Sequence, residues 1–139
     1  MAELILPVSL YENVLEAAVE GYPEEICGLI AGKEGKALRH YPVENIYHSQ
    51  VRYEMEPIQQ VKVMIAMEEE GLELLAIYHS HPHGPARPSA TDVAQAYYPD
   101  VIQLIISLED RNQPHLAAFM IDQDRVRSVN WIITPDSGN

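Results

Sequence analysis

An apolar run, Leu74-Leu75-Ala76-Ile77-Tyr78, ends in His79-Ser80-His81 and then breaks on Pro82, Gly84, Pro85 and Pro88. The run reads as a buried strand, and the Pro- and Gly-rich segment cannot continue it. Successive strand side chains point to opposite faces, so His79 and His81 share one face. Two imidazoles side by side at a strand end can grip one divalent metal. Ser89 then opens a helix, with Asp92 at its third position. An acid in the first turn suits the helix dipole. The loop allows Asp92 to fold back onto the His pair. Two His and one carboxylate make a three-ligand zinc set with a fourth position open to water, the catalytic pattern.

A His-x-His pair by itself also fits a surface loop of solvated imidazoles. The full array is more specific: His-x-His, seven residues, Ser, two residues, Asp, matched by His79, His81, Ser89 and Asp92. On these residues the chain resembles the JAMM (MPN-plus) metallopeptidases, which include deubiquitinating isopeptidases and smaller bacterial and archaeal relatives.

At 139 residues the chain has the length of one domain with a real core. We expect a single domain over residues 1–133 and a disordered tail over 134–139. There are 21 acidic against 9 basic residues, a formal net charge of -12. Neutralising phosphates needs a Lys/Arg surface, so we expect no nucleic-acid partner, and no anionic membrane for the same reason. One cysteine allows no internal disulfide and fits a reducing compartment. The start, with Glu3 where a signal peptide would be basic, and the lack of a long apolar run suggest a cytoplasmic protein.

Ser9 and Glu12 form a capping-box pattern, which predicts a helix from near Leu10 to Gly21. Strands are predicted over 26–32 and 37–43 around Lys33-Glu34-Gly35, with polar loop from Glu44 to Gln50. Val51, Tyr53 and Met55 alternate with polar residues and predict a short strand. Pro57 suits the first position of a helix whose apolar face is Ile58, Val61, Met64 and Ile65. Leu72 to His79 is the central strand, followed by a short helix over 90–96 and a doubly covered strand over 101–108. Residues 115–121 and 126–133 predict a closing hairpin around Asp122-Gln123-Asp124. Interleaved helices and strands give an α/β class with a mixed sheet flanked by helices. The resemblance implies the JAMM/MPN fold, which is similar to that of the cytidine deaminases.

Hydrolysis by a zinc-activated water needs a carboxylate to carry the proton. Glu24 and Glu25 both stand at the mouth of the first long strand, and spacing leaves both open. The resemblance places the role on Glu25, because Pro23-Glu24-Glu25-Ile26-Cys27-Gly28-Leu29-Ile30 matches the Pro-x-Glu-x-Cys-Gly-Leu-Leu-like segment of small prokaryotic members. Cys27 shares the strand face of Glu25 and reads as a small buried filler. The implied site is one zinc held by His79, His81 and Asp92, Glu25 as general base, and Ser89 steadying the oxyanion. Ser89 also stands where an N-cap serine belongs, and a hydroxyl can serve both roles. Arg87 within the motif loop and Arg52 beside Tyr53 are candidate substrate contacts. His83 reads as an exposed loop histidine, and His40, His48 and His115 have no ligand spacing.

Only 96–100 separate the helix after the motif from the next strand, which leaves no room for a long insertion. The chain therefore resembles the minimal prokaryotic members, which act on small ubiquitin-like proteins such as sulfur carriers. The implied reaction is hydrolysis of an amide bond at the C-terminal diglycine of such a carrier, as isopeptidase or C-terminal processing enzyme. The alternatives are a non-catalytic metal-binding module and a small-peptide amidase using the same zinc. A zinc deaminase would carry His-x-Glu with Pro-Cys-x-x-Cys, which this chain lacks.

Overall fold

Ser128 ends one edge strand of an eight-stranded sheet, and Trp131 begins the strand at the other edge. Laid flat, eight strands would set those edges roughly 34 Å apart. Three residue steps reach about 11 Å at most. The sheet must therefore curl until its edges meet, and the Glu3–Arg127 ion pair at 3.0 Å spans the seam. The structure is a computed structural model that describes residues 3–136.

In chain order the elements are β1 (Leu4–Pro7), α1 (Val8–Gly21), β2 (Cys27–Lys33), β3 (Lys36–Val43), α2 (Pro57–Glu69), β4 (Glu73–His81), α3 (Ala90–Ala94), β5 (Ile102–Ser107), β6 (His115–Asp122), β7 (Arg125–Ser128) and β8 (Trp131–Thr134). The sheet order is β7-β6-β5-β4-β2-β3-β1-β8. The β4–β5, β1–β3 and β1–β8 pairs are parallel and the others antiparallel, so the sheet is mixed as expected. β2 and β4 are covered on both faces. Ile30, Ala76 and Tyr78 face a core shared with Leu10, Val14 and Ala18 of α1. Cys27, Leu29 and Ile77 face a second core closed by Met67 of α2. His79 and His81 lie on this second face by strand parity, so the α2 side carries the chemistry. Tyr78 lies across Gly28, whose backbone leaves no space for a Cβ.

Several sequence expectations need correction. The stretch expected as one strand over 126–133 is two strands on opposite edges, because the second joins β1 rather than continuing the β6–β7 hairpin. β1 occupies Leu4–Pro7, a stretch with no strand signal in the sequence. Ser9 does not cap α1, which starts at Val8 with no side-chain cap from its N-cap residue, Pro7. The carboxylate of Asp136 instead accepts from Ser9 N at 3.0 Å and Ser9 Oγ at 2.9 Å. Of the tail expected to be disordered, Thr134 belongs to β8 and Asp136 holds this bond, while 137–139 lie outside the described residues. Residues 51–55 form no strand beyond an isolated Asn45–Met55 bridge. α2 begins at Pro57 as expected, but its buried side is Met67 with half-buried Val63 and Met64. Ile58, Val61 and Ile65 face solvent. No helix among the described residues is long and apolar enough to cross a membrane.

Candidate metal centre

Strand parity puts His79 and His81 on one face of β4, and both are buried. Their Nε2 atoms stand 3.0 Å apart. α3 supplies the third group. Ser89 is its N-cap, and its Oγ accepts from Asp92 N at 3.0 Å. Ser89 N donates to Asp92 Oδ2 at 2.9 Å, which closes a capping box. That bond turns Oδ2 toward the imidazoles, 3.2 Å from His79 Nε2 and 2.9 Å from His81 Nε2. The loop after β4 therefore folds Asp92 back as expected.

The donor set fits a metal ion. Tetrahedral zinc ligands at their usual bond lengths stand about 3.3 Å from one another, close to this triangle. His81 Nδ1 lies 2.9 Å from Pro85 O, which can only accept, so Nδ1 carries a hydrogen and Nε2 of the neutral ring presents its lone pair. A lone pair and a carboxylate oxygen at 2.9 Å repel unless a cation, a proton or a metal ion, lies between them. His79 Nδ1 is buried without a hydrogen-bond partner among the described residues, and its ring is held by Tyr53 stacked at 4.6 Å. Burial pulls the His79 pKa down, against the opposing pull of Asp92. Burial also acts on His81, but Asp92 and the Pro85 carbonyl outweigh it and the net shift is upward. Asp92 is held well below the carboxylate range: burial opposes this, and the two imidazoles overcome it.

Register separates Glu24 from Glu25. Cys27 pairs with His79, and Ser80 N bonds to Ile26 O at 3.0 Å, so Glu25 falls opposite His81 on the same face. Glu25 is buried, and its Oε1 has no hydrogen-bond partner among the described residues. Burial raises its pKa to about 7, opposed by His81 and assisted by Asp92. Glu24 is half-buried and turned away, 3.2 Å from His48 Nδ1. Cys27 donates its S–H to Val43 O at 3.3 Å, and burial pushes its thiol up to about 12, so the buried-filler reading stands.

Ser89 and Arg87 share a recess with Glu25 and His81. The Arg52 guanidinium lies 4.1 Å over the ring of Tyr47, and Tyr47 lines the recess that reaches His79 and Asp92. His83 is an exposed loop residue bonded to Gln50 at 2.9 Å. Sequence reasoning missed Asn45. Its amide is buried, donates to Glu25 O at 3.0 Å and Arg52 O at 3.1 Å, and accepts from Tyr47 N and Glu54 N. It pins the 44–55 loop to the Glu25 backbone and so places Tyr53 on His79. An Asn inside a polar loop carries no sequence signal that would separate this role from turn chemistry.

Residues 7–122 match the family described as prokaryotic homologs of the JAB domain. The chain is similar to the CysO-cysteine peptidase of Mycobacterium tuberculosis, 34% identical over 85% of this chain and 82% of that protein. It is also 34% identical to a desampylase of Pyrococcus furiosus, over 94% of this chain and 90% of that one. Among solved structures, a protein from Desulfitobacterium hafniense is 33% identical and superposes with a TM-score of 0.87 over 96% of this chain and 94% of that one. A JAB1/MPN domain protein from Archaeoglobus fulgidus, 17% identical, shares the fold at a TM-score of 0.61 over 94% of this chain and 97% of that one. The chain belongs to the prokaryotic JAB family, the small branch of the JAMM/MPN proteins that its His-x-His, Ser and Asp array resembles.

Proposed function

We propose that this protein is a zinc-dependent peptidase that hydrolyses an amide bond at the C-terminal diglycine of a small ubiquitin-like or sulfur-carrier protein. The observation that carries the reading is the convergence of His79 Nε2, His81 Nε2 and Asp92 Oδ2 beside the unpaired, buried carboxylate of Glu25. The names of two relatives, a CysO-cysteine peptidase and a desampylase, supply the substrate class.

His79, His81 and Asp92 would hold the ion. A zinc ion there supplies Lewis-acid polarisation of a carbonyl and a water acidified to near neutrality. Glu25 takes the proton from the attacking water. Glu25 is within the same recess as His81, so its carboxylate can accept that proton and, once protonated, return it. The Ser89 oxygen is used as the helix cap, but its hydroxyl hydrogen has no acceptor among the described residues. That hydrogen is free to donate to the developing oxyanion. Glu25 then hands its proton to the departing amine. Tyr53 and the Pro85 carbonyl hold the two imidazole planes through the cycle.

The test is metal content and activity on one preparation. We expect one zinc per chain, lost in Asp92→Ala, and cleavage after the diglycine of an extended sulfur carrier, abolished in Glu25→Ala. Zinc bound without turnover of any carrier would favour the non-catalytic module. Absence of zinc after metal is resupplied would overturn the reading.

A further inference from the structure

Two recesses meet at the His79–His81–Asp92 cluster. One is walled by Tyr47, Tyr53, Tyr97 and Tyr98 and reaches His79 and Asp92. The other is walled by Glu25, Gln50, His83, Arg87 and Ser89 and reaches His81. The second encloses about 370 Å³. That is the size of a small-molecule site, about 300–1,000 Å³.

Glu25 decides which part of the substrate enters which recess, on the peptidase reading above. The carboxylate that accepts the water proton must deliver it to the leaving nitrogen, so that nitrogen sits within hydrogen-bond reach of Glu25. The leaving group therefore occupies the Glu25 recess, and the acyl side occupies the tyrosine-walled one.

Arg87 is the cation in that recess. The chain has 21 acids and 9 Lys/Arg, so a guanidinium left without an acidic neighbour stands out. Arg39 pairs with Glu70, Arg127 with Glu3, Arg52 and Arg111 lie over tyrosine rings, and Arg125, which also lacks a carboxylate partner among the described residues, is exposed on β7 and lines neither recess. The Arg87 guanidinium has neither a carboxylate nor a ring partner among the described residues. Its planar fork matches a carboxylate in bidentate fashion.

We propose that the Glu25 recess receives a single C-terminal residue and that Arg87 binds its free α-carboxylate. The protein then releases one amino acid from the carrier in preference to cutting isopeptide bonds. In an α-amino acid the carboxylate is separated from the leaving nitrogen only by Cα. In an isopeptide the leaving nitrogen ends a lysine side chain, and no anion lies near it. The reaction balances as a hydrolysis. The C–N bond breaks, the water oxygen joins the carbonyl carbon to complete the carrier's new carboxylate, and the water proton travels through Glu25 to the amine.

The test uses the full zinc-loaded chain and three substrates built on one ubiquitin-like carrier ending in diglycine. The first bears one further residue as the free acid, the second the same residue as its C-terminal amide, and the third an isopeptide link to a lysine side chain. We expect wild type to favour the acid over the amide by about tenfold or more in kcat/KM, the size of one charge-assisted contact. Arg87→Gln should bring that ratio near one, mainly through KM for the acid, and Arg87→Lys should restore part of it. Equal cleavage of acid and amide by wild type, or an equal slowing of both by Arg87→Gln, would overturn the assignment while leaving the peptidase intact. Cleavage of none of the three would overturn the peptidase reading and this inference with it.

Discussion

Ser89 and Asp92 hold each other through two reciprocal hydrogen bonds of 2.9 and 3.0 Å, and the oxygen that closes one of them is the oxygen aimed at both imidazoles. A local helix-capping device thus sets the direction of a metal ligand. Ser89→Ala removes both the cap and the free hydroxyl. Loss of a cap costs about 1 kcal/mol, so metal affinity should fall by about tenfold or less. Cleavage should fall further, by about 10²–10³, because an oxyanion donor is gone. Ser89→Thr should retain most of both. Competitive metal titration beside kcat separates the effects, and parallel losses in the two would reduce Ser89 to a cap.

The carboxyl of Glu25 makes stability pH-dependent in the metal-free protein. Burial raises its pKa from 4.5 to about 7. Between those values the folded chain holds the proton more tightly than the unfolded chain, so stability falls as pH rises through that window and stays lower above it. Glu25→Gln does not titrate. It should match wild type near pH 4 and exceed it by about 3 kcal/mol at pH 8. Urea midpoints of chelator-treated proteins from pH 4 to pH 8 would show this, and a constant difference across the range would refute it.

His40 behaves in the opposite sense. It is bonded to Tyr78 Oη on the α1 side of the sheet, and burial lowers its pKa from 6.5 to about 4. The unfolded chain binds that proton more readily, so stability is lost as pH falls from 6.5 toward 4. His40→Gln keeps a polar partner for Tyr78 and removes the titration. Its stability should decline less steeply over that window than that of wild type, measured by denaturant melts at each pH.

Asn45→Ala would leave the carbonyls of Glu25 and Arg52 and the amides of Tyr47 and Glu54 without their partner. We expect a destabilisation of about 2–3 kcal/mol. Amide hydrogen exchange should accelerate at Tyr47 and Glu54 but not in β5. Cleavage should fall with it, because the same loop lays Tyr53 against His79. Unchanged exchange in the loop would remove Asn45 from this role.

Much of the candidate site was legible because its parts are local. His-x-His parity follows from one strand, and Ser89 with Asp92 follows from one helix cap. The choice of Glu25 over Glu24 was legible only through resemblance, since the two are neighbours in the chain and only the register of β2 against β4 puts one of them opposite His81. Asn45 and Tyr53 were illegible because their roles exist only once the 44–55 loop lies over the sheet.

The amino-acid sequence alone determined that one strand end would present two imidazoles, that a capped helix would follow with an acid at its third position, and that the class would be α/β. These depend on backbone periodicity and bonds a few residues long. The tertiary structure decided the rest. It split 125–134 between the two edges of the sheet, gave the α1 cap to Asp136, and turned Met67 of α2 inward while Ile58, Val61 and Ile65 stayed outside. Each outcome rests on pairing between segments far apart in the chain, where the balance is set by which surfaces can be buried together when the sheet curls, a quantity that no local pattern contains.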